Sequence, residues 1–363
     1  MKILTVVGAR PQFIKASTVS RALRSQSEIH EILVHTGQHY DYGMSDVFFN
    51  ELDIPLPHYN LGIGSGQHGQ QTGQMLIGIE EILCKESPDL VLVYGDTNST
   101  LAGSLAAAKL HIPVAHIEAG LRSFNRLMPE EINRVLTDHV SEYLFAPTAT
   151  AVQNLQQEGI SLDKTFLVGD VMYDVALHFL EKAKQHSHIL EILDLESQEY
   201  CLATIHRAEN TDDGLRMKRI FESLIRLSKK CPVVLPIHPR TRKALKRIDY
   251  FEEVEQAIQL IEPVGYLDMI RLEKHSRMIL TDSGGIQKES YFFEIPCVVL
   301  RDETEWIELL ETNWHILASP NDQERLNALI ESHLNLDKST LDHPSLYGEG
   351  KAAYEVLGVL LSI

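Results

Sequence analysis

Continuous β-branched apolar runs recur along this chain, each stopped by Gly, Asp, Ser or His and followed by a longer amphipathic segment. In the first half they fall at 3–8, 31–37, 89–96, 112–120, 142–148 and 165–170. In the second half they fall at 199–206, 232–239, 258–264, 277–283, 296–300 and 315–319. Strands that are apolar throughout are covered on both faces, and strands alternating with helices pair in parallel. The pattern predicts an α/β protein with two doubly wound, Rossmann-like parallel sheets. A length of 363 residues also exceeds one ordinary hydrophobic core.

The break between the halves is expected within 171–198, where the helix-like VALHFLEKAKQ passes into a polar, charged stretch. This gives one domain over 1–172, a second over 173–345, and a last helix over 346–363, where 349–361 has helical periodicity. A formal charge of −18 argues against nucleic acid and anionic membrane surfaces as partners, since phosphate-backbone binding needs a basic face. No stretch has the roughly 18 apolar residues of a membrane span. The four cysteines lack metal or redox spacing and read as free thiols, which fits a reducing cytoplasm.

In open parallel sheets, ligands sit beyond the carboxyl ends of the strands. Polar residues cluster at those ends here, and two such rims facing one another would form a cleft. Asp282-Ser283-Gly284-Gly285 follows the run RMILT and opens a helix. Paired glycines and a helix N-terminus make a diphosphate cradle, while the plainer alternative is a tight turn with Ser283 as cap. Glu289, one turn on, either meets ribose hydroxyls or faces solvent. Arg10 and Lys15 flank the first strand-to-helix turn, where cations suit a phosphate or sugar.

Asp96 ends an apolar run and reads either as a cap for a helix over 98–110 or as a site carboxylate. Glu118 follows VAHI, where an unpaired carboxylate would be costly, so it either pairs with Arg122 or works in the site. Glu130 and Glu131 suit the first turn of a helix that carries Asn133 and Arg134. His206 and His238 end adjacent runs and are expected to share a rim; with no third ligand nearby, phosphate or sugar contact is favoured over a metal.

With these residues in view, the chain resembles the non-hydrolysing UDP-N-acetylglucosamine 2-epimerases. The likeness rests on collinear motifs: GARPQFIK at 8–15, TGQHYD at 36–41, YGDTNST at 94–100, HIEAGLRS at 116–123, PEEINR at 129–134, HRAEN at 206–210, TDSGGIQKE at 281–289 and RDETE at 301–305. The resemblance implies two domains in the glycosyltransferase-B arrangement, a homodimer, and a C-terminal helix crossing back to the first domain. It places Ser283, Gly284 and Gly285 on the phosphates and Glu289 on the ribose, with Arg10, Lys15, His206 and His238 completing the contacts. Asp96, Glu118 and Glu130 match the family's catalytic carboxylates, and the reaction it implies needs no cofactor.

Some positions depart from the commoner pattern. GTRPEAIK is here Gly8-Ala9-Arg10-Pro11-Gln12-Phe13-Ile14-Lys15, and an arginine after RDxTE is replaced by Trp306-Ile307-Glu308. Val168-Gly169-Asp170 replaces a Gly-Asn-Thr version. These variants resemble the subgroup that epimerises UDP-2,3-diacetamido-2,3-dideoxyglucuronic acid for O-antigen synthesis. The rival readings are a glycosyltransferase of the same architecture, a hydrolysing epimerase and a non-catalytic UDP-sugar sensor.

Overall fold

Each predicted apolar run contains a strand of the computed structural model, which describes residues 1–38 and 56–363. The first sheet has seven parallel strands: β1 (Lys2–Val7), β2 (His30–His35), β3 (Tyr59–Asn60), β4 (Leu90–Tyr94), β5 (Val114–Ile117), β6 (Tyr143–Ala146) and β7 (Thr165–Leu167). Their order is 3-2-1-4-5-6-7. The second has six: β8 (Cys201–Thr204), β9 (Val233–Pro236), β10 (Gln259–Ile261), β11 (Met278–Thr281), β12 (Cys297–Val299) and β13 (His315–Leu317). Their order, 10-9-8-11-12-13, repeats the doubly wound pattern. Only β3 was absent from the sequence reading; its two residues pair with Val34 and His35 alone and carry too short a signal.

Each sheet reverses strand order once, between β1 and β4 and between β8 and β11. Those switch points are where such sheets hold ligands. The first core is built around Leu4, Val6, Val91 and Val93, all fully buried. The second packs Met217, Phe221 and Leu245 under β8 and β9. Buried runs such as LVLVY in β4 are why the strands showed no in/out alternation.

The chain forms two compact units, Met1–Val175 with Ser345–Ile363, and Ala176–Pro344. Within the first, the helix Ala352–Ser362 lies against the helix Arg10–Arg24. Asp174 fastens that last helix by accepting from the backbone N–H groups of Ala352 (3.0 Å) and Ala353 (2.8 Å). Burial raises the Asp174 carboxyl to about 6. Among the described residues, no helix is long and apolar enough to cross a membrane.

Candidate active site

In the first unit the site starts at Gly8, directly after β1. A side chain there would overlap the hydroxyls of Thr36 and Ser99, so the close approach requires glycine. Gln12, fully enclosed, ties the switch point together. Its Oε1 accepts from Gly8 N–H (2.8 Å) and Ala9 N–H (3.0 Å), and its Nε2 donates to the Tyr94 carbonyl (2.9 Å). Sequence reasoning noted Gln12 only as a departure from a family pattern; a bond from a helix residue to a strand end 82 residues away leaves no local signal. Arg10 opens the helix, and its side chain lies outside the described residues, as do residues 39–41 of TGQHYD.

Asp96 does not cap the helix Asn98–Lys109. That position belongs to Thr97, whose hydroxyl accepts from Thr100 N–H, so the capping reading of Asp96 is corrected. The Asp96 carboxylate is instead gripped by Arg134, through Nε at 3.0 Å and Nη2 at 2.7 Å. Asn133 donates to the Asp96 backbone carbonyl (2.8 Å). Both partners come from the helix Pro129–Val140, so one element fixes the residue twice.

Glu118 follows β5 in the left-handed region, with φ of 71°. A non-glycine residue there stores strain, a state that persists where the surrounding structure demands it. Its carboxylate forms an ion pair with Lys15, from the first helix. The sequence option of pairing with Arg122 is corrected, because Arg122 lies between Asp138 (2.7 Å) and Glu158 (2.7 Å). Gly95, with φ of 60°, leaves room for the pair: a Cβ there would stand 3.1 Å from Glu118 Oε2 and 3.2 Å from Lys15 Nζ.

Glu130 and Glu131 both occupy the first turn of Pro129–Val140, as expected, but in different settings. Glu130 is exposed, whereas Glu131 is buried. Glu131 accepts from the N–H groups of Ser123 and Phe124, both at 2.9 Å, and from Arg134 at 2.8 Å. Burial opposes its charge, yet these donors hold the carboxyl below the ordinary value. Glu131 thus orients Arg134, which orients Asp96.

In the second unit, buried Asp282 shapes the rim. Its carboxylate accepts from the backbone N–H groups of His206 (3.1 Å) and Arg207 (3.0 Å) and from Asn210 Nδ2 (3.1 Å). This organising role was missing from the sequence reading. His206 and His238 do come together, with ring centres 5.6 Å apart. His238 also caps its own helix, accepting from Arg240 N–H. Partial burial and the neighbouring His206 lower its tendency to protonate.

Ser283 stands at the N-cap position of the helix Gly284–Phe292, as the plainer reading had it, though its side chain makes no capping bond. Gly285 is exposed, and a Cβ there would meet only Ser283 Oγ, at 3.9 Å. At Gly284 a Cβ would come within 2.6 Å of Glu305 Oε1. Glu305 pairs with Arg301 (2.8 Å) and lies 3.7 Å from Arg207. Burial opposes its charge, but these two cations keep its carboxyl below the usual range. Glu289 does not face solvent; it is buried and accepts from the Tyr266 hydroxyl at 2.8 Å.

Residues 21–361 match the sequence profile of the UDP-N-acetylglucosamine 2-epimerases. The chain belongs to this family. A UDP-2,3-diacetamido-2,3-dideoxy-D-glucuronate 2-epimerase of Pseudomonas aeruginosa is 52% identical, with 100% of both chains covered. A UDP-N-acetylglucosamine 2-epimerase homolog of Methanococcus maripaludis is also 52% identical, with 100% of both chains covered. The crystal structure of the Methanocaldococcus jannaschii UDP-GlcNAc 2-epimerase, in complex with UDP-GlcNAc and UDP, has a TM-score of 0.90. It is 46% identical and covers 100% of each chain.

Proposed function

We propose that this epimerase inverts C2 of a UDP-linked N-acetylhexosamine, with UDP-2,3-diacetamido-2,3-dideoxyglucuronic acid ahead of UDP-N-acetylglucosamine as substrate. The observation that carries the reaction is the pair of carboxylates after β4 and β5, Asp96 held by Arg134 and Glu118 by Lys15. The preference between substrates rests on the 52% identity to an enzyme named for the diacetamido sugar, against 46% to the Methanocaldococcus jannaschii UDP-GlcNAc 2-epimerase, and on the replacement of an arginine by Trp306.

The chemistry explains the need for such groups. No carbonyl adjoins C2, so its proton is not acidic in the ground state. As the bond from C1 to the diphosphate oxygen breaks, its electron pair leaves with UDP and positive charge grows at C1. A carboxylate takes the C2 proton, and the C–H electrons form the C1=C2 bond of a 2-acetamidoglucal. UDP then re-adds to C1 while C2 receives a proton on the other face.

In this reading Asp96, held in place by Arg134, stabilises the positive charge at C1, while Glu118 and Glu130 transfer protons. Ser283, Gly284 and Gly285 receive the diphosphate beside the helix N-terminus, and Glu289 meets the ribose. Arg10, Lys15, His206 and His238 are the further substrate contacts of this reading. Four free thiols fit a cytoplasmic setting.

A homodimer is part of the proposal. Ile132, Leu136 and Val140 recur at four-residue spacing on one helix face and are 46%, 48% and 36% exposed. Light scattering at micromolar concentration tests this point, and a monomer would refute it. For the reaction, Glu118→Gln is expected to retain UDP binding while turnover falls by about 100-fold or more. Unchanged turnover would remove Glu118 from the mechanism.

A further inference from the structure

Behind the proposed carboxylates lies a buried group that the reaction scheme above does not use. His116, on β5, is fully enclosed and has an acceptor against each ring nitrogen. Its Nε2 is 2.7 Å from the Gly95 carbonyl oxygen, and its Nδ1 is 2.7 Å from Asp138 Oδ1. A carbonyl oxygen has no proton to give, so Nε2 must donate. The Asp138 carboxylate also accepts from Gly120 N–H (3.1 Å) and Arg122 (2.7 Å) on its other oxygen. Burial opposes ionisation of Asp138, but His116 and Arg122 together keep its carboxyl below the usual value. An ionised carboxylate only accepts, so Nδ1 donates as well.

We infer that His116 is a positioning residue, a double donor whose two N–H groups lock the Gly95–Asp96 turn to Asp138 and so set Asp96 and Glu118. The inference rests on the epimerase reading given above.

The geometry makes this lock specific. Gly95 is in the left-handed region, its N–H donating to the Ile117 carbonyl (3.0 Å) and its own carbonyl accepting from His116. Gly95, the residue before Asp96, is therefore fixed through both of its backbone groups. Ile117 in turn joins His116 to Glu118, whose strained φ needs a rigid frame. Asp138 sits on the helix Pro129–Val140, which also supplies Arg134 and Asn133 to Asp96. One helix thus holds Asp96 by its side chain, its own carbonyl and, through His116, the carbonyl preceding it. A displacement near 1 Å at reacting groups costs about 100-fold in rate. Asn or Gln supplies an amide at this position but cannot donate in both directions with the imidazole's geometry.

Two measurements test the proposal on the full chain. Long-range proton–nitrogen spectra of nitrogen-15-labelled protein at neutral pH, assigned with His116→Asn, are expected to show both His116 nitrogens protonated. This reading needs no active variant. A neutral ring with one protonated nitrogen would overturn the double-donor lock. In deuterated water, with the UDP-sugar that wild-type protein turns over, H116N and H116Q are expected to lower kcat for C2 exchange by about 100-fold. KM and the Kd for UDP should stay within about twofold, because binding groups are untouched. Wild-type kcat in a folded variant would overturn the proposal, as would a KM change with kcat preserved. An inactive wild type would instead bring down the epimerase reading on which it rests.

Discussion

Arg134 grips Asp96 through two nitrogens, at 3.0 and 2.7 Å, while a third nitrogen holds Glu131 at 2.8 Å. The guanidinium is the hub of the first switch point: Glu131 is fixed by backbone N–H groups, Arg134 by Glu131, and Asp96 by Arg134. Lysine has a point charge in place of a planar fork and cannot reproduce this arrangement. Arg134→Lys is expected to fold and bind UDP, yet lose about 100-fold in kcat, measured in a continuous epimerisation assay. Wild-type turnover in that variant would show that Asp96 needs no such clamp.

Gly284 tests the diphosphate cradle. Alanine there would put a methyl 2.6 Å from Glu305 Oε1, displacing a carboxylate that Arg301 and Arg207 now hold. Gly284→Ala should weaken UDP binding by about tenfold by calorimetry, corresponding to about 1.4 kcal/mol. Unchanged affinity would mean that the diphosphate lies elsewhere.

Much of this fold follows from sequence pattern because buried parallel strands are apolar throughout and strand ends are polar. Asp96, Glu118 and the two histidines stood out as polar residues closing apolar runs. Their pairings did not, since Lys15 and Glu118 are 103 residues apart and Asp282 reaches His206 across 76. Pairing between sequence-distant groups is decided by strand order, which periodicity does not encode. The capping error at Asp96 has the same origin, because Arg134, 38 residues on, takes its carboxylate and Thr97 caps instead. Local propensity marks a polar residue before a helix, whereas long-range bonds decide which one caps.

Gln12 provides a stability test. Its replacement by Leu would leave the buried N–H groups of Gly8 and Ala9 without the partner that Gln12 supplies, while the Tyr94 carbonyl keeps the Thr100 hydroxyl at 2.6 Å. Unsatisfied buried groups cost roughly 1–3 kcal/mol each, so Gln12→Leu should lower unfolding free energy by about 3 kcal/mol in urea. A change below about 0.5 kcal/mol would show that other groups replace those bonds.

Asp174 makes stability depend on pH in the opposite sense to an ordinary ion-paired carboxylate. Its folded value near 6 exceeds the model-peptide 3.8, so the folded chain holds the proton more tightly. The resulting stabilisation is complete below pH 3.8 and is lost as pH rises through 6, a change of about 2–3 kcal/mol. Asp174→Asn removes the titration, so the wild-type-minus-variant difference in urea should decline between pH 4 and 6.5. A flat difference would contradict a raised carboxyl at this helix start.

The central claim is tested most directly by proton NMR in deuterated water. UDP-2,3-diacetamido-2,3-dideoxyglucuronic acid and UDP-N-acetylglucosamine are each incubated with the protein and followed over time. The account predicts loss of the C2 proton signal together with appearance of the manno epimer, faster for the diacetamido sugar. Persistence of the C2 proton with both substrates would contradict it.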